Sequence, residues 1–427
     1  MGASLRGRAA IVGAGLAGLG EAPGHSHLEL LGQAVHAALA DAGLPLSSVD
    51  GLFTANSVNF LPILSTADYL GLRPRHTVGT NIGGCSFLEF ALSATLALDA
   101  GLCDVALICY GSNQRTAKRS PNFSDAPPFE VDYKPSYMAG PFALATARHM
   151  HEYGTTAEQL AEVAVAARGW AGLNPQAFMR DPLTVAQVRA SRMVCDPLTV
   201  RDCCLVTDGA GAIVMVRADR AREFPKPPVY FLGGAASVSH RQISSMPDLT
   251  VTAAAESGPR AFAMAGLSAR DVDVAEIYDA FTINTILALE DLGFCAKGEG
   301  GAFVAQGRIA PGGRLPVNTN GGGLSCVHPG MYGIFLLAEA TAQLRDEAGP
   351  RQIAAPRVAL CHGNGGTLSS QVTVLLGTAD TVCFPRPQYS PEGTHASEIP
   401  EAAAQGLRMH HRRDRPRRHH VDDVQPP

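Results

Sequence analysis

The sequence of 427 residues contains no uninterrupted apolar run of the roughly 20 residues that a membrane-spanning helix needs. It also lacks an excess of basic residues, since 34 lysines and arginines stand against 39 aspartates and glutamates. Neither a nucleic-acid partner nor a membrane is therefore expected for the body of the chain. The apolar residues 9–15 are interrupted by glycines and lack the basic start of a signal peptide.

The ten cysteines form no Cys-x-x-Cys pair and show no dense disulfide-type spacing. Several lie in or beside apolar runs, where free cysteines behave as small buried hydrophobes. This pattern predicts a reduced, cytoplasmic protein with no metal site. A hydrophobic content of 46% is enough for a large core.

A dinucleotide-binding site is not expected, although residues 13–18 read Gly-Ala-Gly-Leu-Ala-Gly. Such a site needs a helix that begins at the glycines, so that its free amides can hold a pyrophosphate. Here Gly20, Pro23 and Gly24 follow, and the first clear helix pattern begins near His27. We interpret the glycines as a structural loop.

Alternating strand-like and helix-like segments predict an α/β fold, and the chain repeats itself. The segments at residues 40–50 and 263–273 share Ala-x-Ala-Gly-Leu, followed five residues later by Val-Asp. In both copies a glycine-rich turn, a helix and a buried strand come next. Two similar α/β halves are the simplest explanation.

The repeats suggest how the chain is divided. Residues 1–113 and 203–255 are assigned to the first half, and residues 256–382 to the second. Residues 114–202 belong to neither copy and are interpreted as an inserted covering region. Residues 383–427 turn rich in Pro, Ser, Arg and His, which predicts a disordered tail. A nucleic-acid or membrane role for this tail is the weaker alternative.

Four segments have compositions unlike ordinary core. Residues 81–86, Asn-Ile-Gly-Gly-Cys-Ser, place Cys85 at a helix N-terminus, where the helix dipole favours a nucleophilic thiolate. A packed cysteine in a tight turn is an equal alternative. Residues 276–281, Glu-Ile-Tyr-Asp-Ala-Phe, end a strand with a Tyr-Asp pair that could hydrogen-bond a substrate.

The third segment, residues 318–333, surrounds His328 with glycines that let a backbone approach a ligand closely. With Pro329 in the first helical position, the imidazole would stand at a helix start and relay a proton or donate to an oxyanion. The fourth segment, residues 361–366, offers Cys361 or His362 as an acid or base.

In this order and on a duplicated frame, the four segments resemble the thiolase superfamily over roughly residues 8–380. The pattern Asn-x-x-Gly-Gly leading to His328-Pro329, and Cys-x-Gly at residues 361–363, carry the resemblance. Residues 278–301 are most similar to the sterol-carrier-protein-X and lipid-transfer-protein branch, which includes steroid side-chain aldolases. The resemblance implies a layered α/β/α/β/α fold with two mixed five-stranded sheets around central helices.

The resemblance also shows departures. The helix length expected in thiolases, counted back from Gly101, places the nucleophile position at Gly84 rather than Cys85. Tyr278 stands in the place of the thiolase asparagine, and Val327 replaces the glycine before the histidine. Tyr332 follows His328 by four residues, which predicts that the two lie one helical turn apart.

Two mechanisms are open. In the first, Tyr278 and Tyr332 act with His328 in a non-covalent retro-aldol cleavage of a β-hydroxyacyl-CoA. In the second, Cys85 is acylated, His328 activates it, and Cys361 delivers a proton, as in acetyl-CoA acetyltransferases. The backbone and side chains expected to contact the substrate are Gly84, Gly322, Gly323, Ser325, Gly363 and Gly365.

A third reading is a non-catalytic acyl-CoA or lipid-binding protein. The resemblance implies no cofactor beyond the coenzyme A thioester, which is itself the substrate. It further implies a homodimer, possibly in complex with a small OB-fold, zinc-ribbon protein, and a place in lipid or steroid degradation.

Overall fold

The computed structural model describes residues 4–56, 58–118, 130, 132 and 138–382. The predicted tail at residues 383–427 lies outside them. The first half contributes five strands, which are β1 (Ala9–Gly20), β2 (Gly51–Thr54), β3 (His76–Val78), β4 (Val105–Ser112) and β7 (Asp208–Arg217). They are ordered β3-β2-β4-β7-β1, with β2 parallel to β3 and β4 and with β7 antiparallel to β4 and β1.

The second half repeats this arrangement with four strands, which are β8 (Val229–Val238), β9 (Val274–Ile277), β10 (Val358–Gly365) and β11 (Ser370–Gly377). Their order is β8-β11-β10-β9, and β9 is parallel to β10. The two halves join edge to edge where Ala10 and Ile11 pair with Tyr230 and Val229. The described strands therefore form one continuous mixed sheet of nine strands.

The repeat seen in the sequence is confirmed at the level of hydrogen bonds. Asp50 precedes β2 and accepts the backbone N–H of Val105 at 2.8 Å. Asp273 precedes β9 and accepts the N–H of Val358 at 2.9 Å. Each carboxylate thus ties the start of one parallel strand to the start of its neighbour, which explains why Val-Asp recurs at a fixed offset.

The helices complete the layers. Helices α1 (His27–Ala42) and α2 (Pro62–Leu70) belong to the first half, and α7 (Ala254–Ala265) packs on β8 and β11 of the second. Helices α3 (Ser86–Asp99) and α10 (Gly333–Leu344) each contact strands of both halves and form the central layer. The layered α/β fold expected from the sequence is confirmed. The expectation of two five-stranded sheets is wrong, because the described strands of the two halves join into one sheet, to which the second half contributes four strands.

The sequence predicted a boundary between the two halves at residues 255/256. That boundary places β8 in the first half and β11 in the second, although the two strands pair over eight residues. The sheet itself therefore assigns β8 to the second half. The division of the chain into domains otherwise remains a prediction.

The covering region contains α4 (Gly140–Tyr153), α5 (Ala157–Leu173), α6 (Val185–Arg189) and a two-stranded ribbon of β5 (Met193–Cys195) and β6 (Leu198–Thr199). Helix α5 begins with a capping box, in which Thr156 and Gln159 exchange hydrogen bonds. The indole N–H of Trp170 donates to the carbonyl of Ile309 at 3.0 Å and attaches α5 to the second half. Two short helices, α8 (Thr282–Asp291) and α9 (Gly300–Val304), follow β9.

The glycines of residues 13–18 are strand rather than loop, so the interpretation as a loop was wrong in form. They lie within β1, and α1 crosses them closely. A Cβ at Gly13 would lie 2.2 Å from the carbonyl oxygen of Ala38, and one at Gly15 would lie 2.4 Å from the Ala38 nitrogen. The glycines therefore let a helix pack against the strand backbone. Among the described residues, no helix is long and apolar enough to cross a membrane.

Candidate active site

The glycine turn of the first half leads into α3 as expected, but no hydrogen bond joins its cysteine to Tyr278 or His328. Cys85 is the residue directly before α3 and is 0% exposed. Its Sγ lies 3.4 Å from the Ile82 carbonyl oxygen and 3.3 Å from the Ser370 hydroxyl on β11. Burial raises the pKa of Cys85 to about 12. Desolvation thus opposes the thiolate that the helix dipole would favour, and a catalytic role for Cys85 stays a prediction.

Gly84, one residue earlier, does face the site. A Cβ built on Gly84 would lie 2.4–2.6 Å from the ring and hydroxyl of Tyr278. The carbonyl oxygen of Gly84 accepts the N–H of Gly333 at 3.1 Å, which fixes the turn against the start of α10. The phenol of Tyr278 thus occupies the space into which a side chain at position 84 would extend.

Tyr278 and His328 form the central pair. The Tyr278 hydroxyl lies 3.0 Å from Nε2 of His328 and 3.4 Å from the carbonyl oxygen of Gly330. Burial holds the pKa of Tyr278 well above its usual value and lowers the pKa of His328 to about 4. Near neutral pH the pair is therefore a neutral phenol beside a neutral imidazole.

The backbone around His328 is fixed from outside its own segment. The N–H of His328 donates to the Thr207 hydroxyl at 2.9 Å, and the Gln114 amide donates to the His328 carbonyl at 3.0 Å. The expected helix start at Pro329 is wrong, because α10 begins at Gly333. The imidazole is half-buried and Gly330 is exposed, so solvent reaches the pair from this side.

Tyr332 belongs to the same cluster without any helical spacing. Its ring lies 5.5 Å from that of Tyr278, edge to face, and 6.2 Å from that of His328, nearly parallel. Its hydroxyl donates to Oδ1 of Asn320 at 3.0 Å. Burial raises the pKa of Tyr332 well above its usual value. The geometry makes Tyr332 a wall that supports the other two rings.

The carboxylate of Asp279 binds the backbone of the glycine loop, so its hydrogen-bonding capacity is used within the protein. Its Oδ1 accepts the N–H of Gly323 at 2.6 Å and its Oδ2 accepts the N–H of Leu324 at 3.3 Å. Burial raises the pKa of Asp279 to about 7 even though these donors favour the charged form. A Cβ at Gly322 would overlap the carboxylate at 2.0 Å, so only glycine fits there. Residues Gly322–Cys326 form a single π-helical turn, a feature that is frequent at functional sites.

The remaining candidates fall into two groups. Gly323 lies beside the imidazole, since its Cβ would be 3.3 Å from Cδ2 of His328. Ser325 is removed from the cluster, because its hydroxyl accepts a hydrogen bond from the guanidinium of Arg168 at 2.9 Å. Gly363 and Gly365 pack against Cys85: a Cβ at either would lie within 3 Å of it.

Cys361 also points elsewhere. Its thiol donates to the Leu336 carbonyl in α10 at 3.5 Å, it is fully buried, and burial raises its pKa well above the usual value. The neighbouring His362 contacts Thr373 and Gln371 on β11, and burial lowers its pKa to about 4. Neither side chain hydrogen-bonds to the tyrosine–histidine pair, although the backbone N–H of Tyr278 donates to the His362 carbonyl at 2.8 Å.

The sequence reasoning assigned no role to Asn320, Thr207 and Cys204. Asn320 joins Tyr332 to the loop by also accepting the N–H of Gly322 at 2.7 Å. Cys204 is half-buried beside the site, and its backbone N–H donates to the Ala280 carbonyl at 2.9 Å. Asn320 stands directly before the glycine run, which was a usable signal. Thr207 and Cys204 come from a distant segment and gave none. Within the described part of the chain, no cluster of three or more His, Cys, Asp or Glu side chains could hold a metal ion.

The duplicated sheet, the central helices and the histidine between glycine loops define a thiolase-like enzyme. Residues 235–378 match the family described as thiolase C-terminal domain-like. The acetyl-CoA acetyltransferase of Methanothermobacter thermautotrophicus is 35% identical over 370 residues, covering 84% of this chain and 96% of that protein. The steroid side-chain-cleaving aldolase of Thermomonospora curvata is also 35% identical over 370 residues, covering 80% and 91%.

Among solved structures, the "Ltp2-ChsH2(DUF35) aldolase" matches with a TM-score of 0.80 and 32% identity, covering 88% of this chain and 98% of that one. Human mitochondrial 3-ketoacyl-CoA thiolase shares the fold, with a TM-score of 0.65 and 17% identity. The chain belongs to the thiolase superfamily.

Proposed function

We propose that this protein cleaves a carbon–carbon bond of a β-hydroxyacyl-CoA by a retro-aldol reaction, without a covalent acyl-cysteine. The observation that carries the proposal is that a phenol, and not a thiol, lies beside His328. The Tyr278 phenol fills the side-chain position of Gly84, 3.0 Å from His328, while the thiols of Cys85 and Cys361 are buried elsewhere.

The step balances within this pair. The substrate's β-hydroxyl gives its proton to the Tyr278 oxygen while the Tyr278 proton passes to Nε2 of His328. The Cα–Cβ bond breaks, its electron pair remains on Cα as a thioester enolate, and Cβ becomes a carbonyl. The proton then returns through Tyr278 to Cα, which releases a shorter acyl-CoA and a ketone or aldehyde. General acid–base catalysis by such a positioned pair contributes about 10²- to 10⁴-fold in rate.

Cysteine-dependent acyl transfer needs a thiol that can ionise beside the histidine. The high pKa of Cys85 and its contacts with Ser370 weigh against that mechanism. The relatives named as aldolases and the relative named as an acetyltransferase are equally similar in sequence, so the geometry, rather than the identity, supports the choice.

An apolar acyl group is also part of the proposal. A groove of about 860 Å³ runs along α4 and is lined by Pro141, Leu144, Ala147, Met246 and Leu249 among others. On the same helix, Phe142 stacks on Phe281 at 4.2 Å, three residues after Tyr278. Phe142 does not line the groove, so helix α4 is what links the groove to the segment that carries the phenol. The volume of the groove suits a bulky apolar group. Two relatives are named for cleaving steroid side chains or a pregnene carboxyl-CoA, which supports the same class of substrate.

The assembly we propose is a homodimer in complex with a small OB-fold, zinc-ribbon protein. The name of the similar aldolase structure includes a second protein, ChsH2(DUF35), which supports a partner of this kind. The coenzyme A thioester would be the substrate, with no further cofactor.

The deciding experiment is turnover with the partner co-expressed. The purified complex is offered a β-hydroxyacyl-CoA with a bulky apolar acyl group, and products are separated by mass. Release of a ketone and a shorter acyl-CoA is expected. Acyl exchange with free coenzyme A would instead support cysteine chemistry, and binding without either reaction would support a non-catalytic acyl-CoA-binding protein.

A further inference from the structure

A buried pair of carboxyl groups lies directly behind the site. Glu276 on β9 is two residues before Tyr278 and is 0% exposed, and Glu339 on α10 is also buried. Because side chains alternate along an extended chain, Glu276 and Tyr278 project to the same side of β9. None of the chemistry proposed above uses Glu276.

The hydrogen bonds around Thr319 assign a proton to one of the two carboxyls. The Thr319 hydroxyl lies 2.8 Å from Oε1 of Glu276 and 2.7 Å from Oε1 of Glu339, and it accepts the Gln343 amide at 3.0 Å. A hydroxyl has one proton, so it can donate to only one of these carboxyls. The other carboxyl must itself donate to the hydroxyl.

Arg351 identifies which carboxyl is charged. Its guanidinium holds both oxygens of Glu339 at 2.9 Å each, the paired geometry of a charged carboxylate. Glu276 has no cation in hydrogen-bond contact, and its Oε2 has no hydrogen-bond partner among the described residues. A buried anion in that position would be strongly destabilised. Glu276 is therefore the group that holds the proton.

The electrostatics agree with this assignment. Burial, followed by the charge of Glu339, raises the pKa of Glu276 to about 8. The other ionisable groups around Glu276 are Arg351, Cys326, Cys361 and Tyr332. Asp279 acts on the same Cys326 and Tyr332, and its pKa of about 7 lies below that of Glu276. Burial raises the pKa of the two thiols and the phenol far beyond this range, so they stay neutral near pH 8.

Residues 318–320, which Glu276 contacts through Thr319, are hydrogen-bonded to segments next to both Tyr278 and Tyr332. Asn318 accepts the N–H of Ile277 at 2.6 Å, next to Tyr278. Asn320 accepts the hydroxyl of Tyr332 and the N–H of Gly322. Thr319 lies between these two asparagines. Any displacement of Thr319 is therefore passed to the Tyr278 backbone and to the glycine loop.

We infer that the neutral carboxylic acid of Glu276 is a positioning group for the active site, because its hydrogen bond to Thr319 holds residues 318–320 against β9. Ionisation places a second negative charge beside Glu339 and makes both carboxylates compete for the one Thr319 hydroxyl proton. Only the Thr319 N–H, 3.3 Å from Oε1, then still donates to Glu276, and the Tyr278–His328 geometry is disturbed. Activity is then lost on the alkaline side of neutrality. The expected loss of activity rests on the proposed function, whereas the protonation of Glu276 does not depend on it.

The test is the substitution Glu276→Gln, whose amide can donate to Thr319 but cannot ionise. In the unmodified complex, kcat/KM should fall about tenfold for one pH unit above the pKa of Glu276. In Glu276→Gln, kcat/KM should change by less than about twofold between pH 8 and pH 9, a range over which Asp279, whose pKa is about 7, is already mostly ionised. Glu299→Gln, at an exposed glutamate, is the matched control and should keep the alkaline fall.

A second measurement needs no turnover. The infrared carbonyl band of a protonated carboxylic acid should be present at pH 7, disappear above about pH 8 and be missing in Glu276→Gln. An unchanged alkaline fall in Glu276→Gln would overturn the positioning role. Absence of any band at pH 7 that depends on Glu276 would overturn the protonation itself. If the complex turns over no acyl-CoA but the band titrates as described, the proposed function fails and the assignment of the proton stands.

Discussion

The glycine turn of the first half and its counterpart in the second half are related by the repeat but have opposite contents. In the first half, the turn before α3 directs Gly84 at the cluster and buries Cys85 against β11. In the second half, the corresponding loop and strand end supply Tyr278, His328 and Tyr332. The first half contributes a glycine that leaves room for a side chain, and the second half contributes the side chains that react.

The comparison shows how a one-residue register determines chemistry. Neighbouring residues at a helix start point about 100° apart. Cys85 is adjacent to Gly84 in sequence, yet its thiol faces Ser370 rather than His328. The glycine leaves room for a phenol, and the phenol then takes the position beside the imidazole. Four predictions follow from this difference between the halves, beginning with the largest effect.

Tyr278→Phe should lower kcat for carbon–carbon cleavage by about 10²- to 10⁴-fold, because it removes the hydroxyl that exchanges a proton with His328. Binding of the acyl-CoA should change little, as the ring remains. Steady-state kinetics and a binding titration measure the two effects. Tyr69→Phe, at an exposed tyrosine of α2, is the matched control and should behave like the parent.

Gly84→Ala should lower kcat by about 10²-fold, because the added methyl would lie 2.4 Å from the Tyr278 ring and must displace it. Gly172→Ala on α5 serves as the control, because its methyl would only make an ordinary van der Waals contact, 3.7 Å from the Arg180 carbonyl oxygen. Its stability should equal the parent or lie about 1 kcal/mol above it. Equal activity of parent and Gly84→Ala would show that Tyr278 does not need its present position.

Acidification should inactivate the Tyr278–His328 pair of the second half. The protonated form of His328 cannot accept the Tyr278 proton, so kcat/KM should halve at about pH 4. Stability follows the same direction. The folded pKa values of His328 and His362, about 4, lie below the unfolded value of about 6.5. Their stabilisation is complete above pH 6.5 and is lost as the pH falls toward 4. Chemical denaturation at pH 7, 5.5 and 4.5 measures the loss, and a stability that rises on acidification would contradict the buried neutral state of these histidines.

Cys85→Ala should have the smallest effect. The thiol is a packing group in this account, so kcat should change by no more than a few-fold and stability should drop by about 1 kcal/mol. Cleavage assays and denaturant unfolding measure both quantities. Loss of all turnover in a folded Cys85→Ala protein would transfer the chemistry to the first-half turn.

Much of the fold could be predicted from the sequence, because local signals agree with the tertiary structure. The Val-Asp repeats mark paired strand starts, and the Thr156–Gln159 box marks a helix start. The glycines of β1 were wrongly predicted to form a loop. They allow helix α1 to pack closely across the strand, and this long-range contact has no local sequence pattern.

The site was predictable in part for the same reason. Tyr278, His328 and Tyr332 could be brought together from motif order, but Tyr332 reaches the pair through a turn rather than a helix. Cys85 seemed reactive from its place at a helix start, whereas its protonation depends on burial under β10 and β11. The proton on Glu276 depends on Glu339, which shares the Thr319 hydroxyl with it, and on Arg351, which pairs with Glu339. Both residues lie far along the chain from Glu276.

The most direct test of the central claim is the intact mass of the complex during turnover of an acyl-CoA, with rapid acid quenching. The account predicts cleavage products together with an unmodified chain, because the Tyr278–His328 pair transfers only protons. An acyl group bound in stoichiometric amount to Cys85, and absent in Cys85→Ala, would contradict it.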